Sequence, residues 1–137
     1  MVKQICKDVF LLGMKSSPAG AEDIGTAQDL LDTVKAHSHE CVGMAANMIG
    51  VLKRIIVFQD GMSYTVMLNP EIKKHSAECF DTEEGCLSLS GLRKTKRFKS
   101  IKVRYLNEDF GIRIKTYSGY TAQIIQHEID HCDGILI

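Results

Sequence analysis

The sequence predicts an α+β fold: antiparallel β-hairpins folded around a C-terminal helix, with a second helix packed outside. Three observations carry this expectation. Lys53–Phe58 and Ser63–Leu68 are apolar, β-branched runs flanking Asp60-Gly61, a strong hairpin turn. Ile101, Val103 and Tyr105 alternate with Lys102 and Arg104, and Gly111–Thr116 returns after Asn107–Gly111. The strands follow one helical segment and precede another, without the strand–helix alternation of a parallel sheet.

Taken in order, the first 21 residues are mixed, and Ser16–Gly20 reads as a loop. From Glu22 to about Ser38, Ile24, Ala27, Leu30, Leu31 and Val34 recur at helical spacing, and early acidic residues suit the helix dipole. Cys41–Gly50 is rich in small residues and suits a tightly packed strand or loop. Asn69-Pro70 is expected to end the second strand of the first hairpin, and Glu71–Phe80 to form a weaker strand. The Lys- and Arg-rich stretch from Leu92 to Lys102 is expected on the solvated side of the second hairpin. Docking of an anionic partner such as ribosomal RNA by Arg93, Lys94 and Lys96 is the other reading. The last helix runs roughly from Tyr120 to Cys132, with Ala122, Ile125 and Ile129 as its apolar stripe and Gly134 as its stop.

The totals bound the function. At 137 residues, a single domain spanning 1–137 with one sizeable core is expected. Seventeen Lys and Arg balance seventeen Asp and Glu, so nothing global points to DNA or to an anionic membrane. No apolar run approaches the roughly 20 residues of a membrane helix, and Lys3, Lys7 and Asp8 interrupt any signal-peptide pattern. Five cysteines, an odd number, suggest free thiols in a reducing cytoplasm.

The chemistry concentrates in Gln126–Gly134. His127 and His131 are four residues apart, which on a helix places them about 40° apart on one face, within reach of one metal ion. Glu128, one residue on, is close enough to handle the proton of a water at the ion but poorly placed as a ligand. A third protein ligand is needed, and Cys86 is the best placed by its neighbourhood: Gly85 allows close backbone approach and Ser88 suits a turn. Cys6, Cys41 and Cys79 read as small core residues, and Cys132 points roughly 100° away from His131. One thiolate and two imidazoles with a position left open describe a hydrolytic site.

With these residues in view, the sequence resembles the peptide deformylase family, whose three motifs are GxGxAAxQ, EGCLS and QHExDH. Glu84–Ser88 and Gln126–His131 match the second and third in full. Met67–Ile72 and the hairpin after the second motif are also similar, so the resemblance covers nearly the whole chain. It implies a deformylase-like fold and removal of the N-formyl group from the N-terminal methionine of nascent polypeptides. It implies that Cys86, His127 and His131 hold one divalent ion, Fe(II) in the cell with Zn, Ni or Co able to replace it. It further implies that Glu128 is the general acid and base, and that the Leu87 N–H is a donor to the oxyanion. The formylmethionyl peptide would pair as an added strand at Val42 and Gly43 of a monomer. Asp130 reads as a helix-surface acid, the other reading being an acceptor that orients a metal ligand.

The first motif is degraded. Aligned on the family's usual GLAAPQIG, Gly43–Gly50 puts Met48 where an amide-bearing glutamine stands, and Cys41 replaces the first glycine. Methionine has no N–H to donate. Asn47 is one residue away and in a strand would face the other side. Three readings follow: an active but slower deformylase, a same-fold amidase with a different acyl-amide substrate, or a catalytically idle metal-binding paralogue that holds peptide N-termini or ribosomes.

Overall fold

A computed structural model describes residues 1–137. Its elements are α1 (Val9–Leu12), α2 (Ile24–Ala36), β1 (Gly43–Ala45), β2 (Ile55–Asp60), β3 (Ser63–His75), β4 (Cys79–Cys86), β5 (Leu89–Phe98), β6 (Ser100–Leu106), β7 (Ile112–Ser118) and α3 (Gly119–Cys132). The strands form a five-stranded antiparallel sheet in the order β1-β2-β3-β6-β7 and a separate two-stranded sheet, β4-β5. The expected α+β architecture is the observed one.

The pleat divides the core. Side chains alternate across a strand, so Ile56 and Phe58 of β2 join Ile101, Val103 and Tyr117 under α3, where Ala122, Ile125, Ile129 and Cys132 cover them. Ile55 and Val57 face the other way and pack with Val66, Leu68 and the Ala27, Leu30 and Val34 stripe of α2. Strand β2 is therefore buried on both faces, which its unbroken Ile55–Phe58 run requires. The first hairpin turns at Gly61, whose φ of 66° suits glycine. Helix α3 ends as expected at Gly134, φ 76°, where the Gly134 N–H donates to the His131 carbonyl at 3.0 Å.

Two expectations are corrected. Asn69-Pro70 does not end its strand: β3 continues to His75, with a register shift between Leu68 and Glu71. A bulge there absorbs the missing Pro70 N–H, and Asn69 tolerates its left-handed φ of 53°. The Asn69 side chain also accepts from Ala19 N at 2.7 Å and donates to Ala19 O at 3.0 Å, fastening the N-terminal loop to the bulge. Residues 71–80 accordingly split between two strands rather than forming one.

The basic stretch is also not the wet side of β6 and β7. Its residues up to Phe98 belong to β5, and of its cations only Lys102 lies on β6; Lys96, Lys94 and Arg93 stand opposite Asp81, Glu83 and Glu84 of β4, so those cations face acids across their own ladder. Arg97 turns inward and is 4% exposed. Its Nη2 and Nε donate to Glu84 at 2.6 and 3.0 Å, and its Nη1 donates to Asp130 of α3 at 2.6 Å. Asp130 is thus an anchor for the second sheet, half-buried, and not a surface acid. Gln126 completes the seam by accepting from Phe98 N at 2.8 Å and donating to Phe98 O at 3.0 Å.

Replacing Arg97 would leave two inward carboxylates uncompensated, a change that costs about 3–5 kcal/mol when one partner of a buried pair is removed. Arg97→Met should lower the denaturant midpoint by that equivalent; a loss below about 1 kcal/mol, the ceiling for an exposed pair, would contradict the anchoring role.

Candidate metal centre

Helix α3 places His127 and His131 one above the other, as four-residue spacing dictates. Their ring centroids are 4.7 Å apart, and the two Nε2 atoms face each other at 3.0 Å. Cys86 ends β4, and the two-residue turn Leu87-Ser88 leads into β5, with Cys86 opposite Leu89. This hairpin end overlies α3. One donor atom each from Cys86, His127 and His131 lies within 4.8 Å of the others. Residues 41 positions or more apart in sequence therefore meet at one point.

The donor set suits a divalent ion. The Glu84 carboxylate accepts from His127 Nδ1 at 2.8 Å, which fixes the tautomer and turns the Nε2 lone pair toward the common point. Burial opposes ionisation of Glu84, but bonds from His127, Arg97 and Gln123 hold its pKa down at about 2, so it stays an acceptor. Burial, and then the nearby His127, push His131 down to about 3, leaving a neutral imidazole. His127 itself is opposed by burial yet pushed up to about 10 by bonds to Cys86 and Glu84. A proton and a cation compete for that same lone pair, so metal binding here releases a proton. Thiolate with two imidazoles is a set that Fe, Zn, Ni and Co all accept.

A cleft of about 550 Å³ opens over this point. One wall is the run from Ser38 to Gly43 with Met48, the other is Glu83 to Leu87, and the floor is α3 from Tyr120 to Glu128. Val42, Gly43, Met48, Cys86, Leu87, His127 and Glu128 all line it, and His131 lies fully buried beneath. Strand β1 is the edge of the five-stranded sheet and forms the first wall. The Val42 carbonyl accepts from Gln59 N at 2.8 Å, so it is engaged inside the sheet. Backbone groups alternate sides along a strand, which leaves those of Gly43 on the open edge.

Glu128 is 4% exposed, and its Oε1 has no hydrogen-bond partner. Burial pushes its carboxyl up to about 7, against the pull of His127. A carboxyl poised near neutrality can both take and give a proton.

Met48 is buried and lines the cleft, but in a 3-10 helix (Ala46–Ile49) and not in a strand. The Asn47 amide still does not reach the cleft. Its Nδ2 donates to the His131 carbonyl at 2.9 Å, tying this turn to α3.

Three residues that support the site escaped the sequence reading: Glu84, Arg97 and Gln123. A signal existed for Glu84, because it lies two residues before Cys86 on a strand and so shares a face with it. Gln123, one turn before His127 on α3, donates to Glu84 at 2.9 Å.

Known proteins match this chain over its whole length. A peptide deformylase of Clostridium beijerinckii is 50% identical over 137 residues, covering all of both chains. A class I type b peptide deformylase from Acinetobacter baumannii superposes with a TM-score of 0.90 at 31% identity, covering 99% of this chain and 97% of that one. A structure of the A. baumannii protein with Met-Ala-Ser bound superposes at 0.89, with 29% identity over 99% and 96% of the chains. The polypeptide deformylase family model matches residues 4–137, and with the thiol, the two imidazoles and the buried Glu128 gathered under one cleft, the chain belongs to that family of metal-dependent enzymes that remove the N-formyl group from nascent polypeptides.

Proposed function

We propose that this chain hydrolyses the formyl–amide bond of N-formylmethionyl peptides with Cys86, His127 and His131 as its metal ligands and Glu128 as its proton carrier. The supporting observation is the meeting of those three donors beside a buried carboxyl with a free oxygen. The ion is Fe(II) in the cell, replaceable by Zn, Ni or Co. It supplies Lewis acidity and makes a water nucleophilic near neutral pH.

The chain's own groups do the rest. The peptide lies along the open edge of β1 and pairs with the backbone of Gly43, while Val42 forms the wall behind. The peptide's N-terminus lies at Cys86 and Leu87, on the facing wall of the cleft. The Leu87 N–H donates to the carbonyl oxygen as negative charge builds on it. As water oxygen bonds to the formyl carbon, Glu128 takes a water proton. It returns that proton to the amide nitrogen as the C–N bond breaks, leaving formate and a free amine. The tripeptide in the A. baumannii structure is of the product class this reading expects. All residues assigned a role come from one chain, so a monomer suffices. No helix is long and apolar enough to cross a membrane, and the reading places the reaction in the cytoplasm.

Met48 sets the rate. Its thioether offers no N–H to the oxyanion, and the neighbouring amide of Asn47 is committed to His131. The Leu87 N–H is then the chain's own donor to the oxyanion, and turnover is slower than the fold allows.

On formyl-Met-Ala-Ser, the Ni(II)-loaded protein should turn over, and Glu128→Ala should lower kcat by at least about 10²-fold with metal content kept. Undiminished turnover in that variant would remove Glu128 from the reaction. Met48→Gln should raise kcat by up to about 10²–10³-fold, the usual worth of one oxyanion donor. An unchanged rate would show that the site stabilises the oxyanion fully without that donor.

A further inference from the structure

Gly43 is buried among groups that leave no room for a side chain. An added Cβ would stand 2.9 Å from Ile124 Cγ2, 3.0 Å from Glu128 Oε2 and 3.3 Å from the Val57 carbonyl oxygen. The backbone does not call for glycine here. Five glycines have a positive φ, and Gly43 is not one of them. Glycine weakens a strand interior, so its presence in β1 answers to space alone.

The three neighbours are not equally able to move. Val57 is backbone of β2, paired with Met44. Ile124 is β-branched on a helix, where its χ1 is nearly fixed. The Glu128 carboxyl is the soft one, since no hydrogen bond holds its Oε1. We infer that Gly43 is a positioning residue: the bare strand edge is the surface against which the Glu128 carboxyl is seated, so the residue that offers its backbone to the peptide also sets where the proton carrier stands. The inference rests on Glu128 being that carrier. It couples the two halves of the site, because the Gly43 backbone and the Glu128 carboxyl then keep a fixed separation.

An alanine at 43 keeps the N–H and C=O that pair with a peptide but occupies the seat of the carboxyl. In Gly43→Ala, kcat on formyl-Met-Ala-Ser should fall at least about tenfold, while KM and the Kd for Met-Ala-Ser by calorimetry stay within about threefold, because misplacement of a reacting group affects the transition state and not ground-state pairing. Gly43→Ala/Ile124→Ala removes the contact with Ile124 and protects the fold, and its kcat should stay low. A wild-type kcat in either variant, or a raised KM with kcat unchanged, would overturn the inference. Glu128→Ala is measured alongside. Full turnover there removes the proton carrier itself and with it the inference, whereas a dead Glu128→Ala beside a fully active Gly43→Ala removes the inference alone.

Discussion

The guanidinium of Arg97 is the interaction on which the site depends. The β4-β5 sheet shares no strand pairing with the five-stranded sheet, yet it carries Cys86, which must reach histidines on α3. Arg97 closes that gap by bonding Glu84 on its own sheet and Asp130 on the helix. Burying these charges is costly unless every lone pair is used, and here Glu84 also takes bonds from His127 and Gln123. One carboxylate therefore docks the hairpin and orients His127, a proposed metal ligand. Charge-assisted bonds of this kind specify one arrangement, where a purely apolar seam would allow the hairpin to slide.

The fold separates fixed parts from working parts. Strand β2 is buried on both faces and holds α2 and α3 against opposite sides of the sheet. Strand β1 is left as an edge, which is ordinarily an aggregation liability; here only three residues long and overlooking a cleft, it presents few groups to the outside. Helix α3 is tied at its far end by Asn47 to the His131 carbonyl and by Arg54 to Asp133 at 2.8 Å. The neighbouring Glu128 has no such tie on Oε1, a freedom that suits the proton-carrying role proposed for it.

Much of this was legible in the sequence because it is periodic. The spacing of His127 and His131, the apolar stripe of α3, its stop at Gly134 and the hairpin around Gly61 follow from local geometry. Cys86 could be singled out because a glycine and a turn-forming serine flank it. The rest was hidden for physical reasons. Asn69-Pro70 looks like a terminator, and only pairing with β6 reveals a bulge. A basic run announces exposed lysines, as Lys94 and Lys96 are, but neither which strand carries them nor that Arg97 among them turns inward. Arg97 contacts residues 13 and 33 positions away, and no pattern along the chain announces such bonds. Asp130 was misplaced for the same reason: an acid next to a helix's polar positions is a surface residue unless a buried cation answers it.

The account stands on the sulfur of Cys86 joining two imidazoles around one ion. X-ray absorption at the metal edge of the purified, Ni- or Zn-loaded protein measures this directly. The account predicts one metal per chain, with one sulfur at about 2.3 Å and two nitrogens at about 2.0–2.1 Å and light-atom solvent completing the shell. A shell of nitrogen and oxygen alone, or two sulfurs, would contradict it.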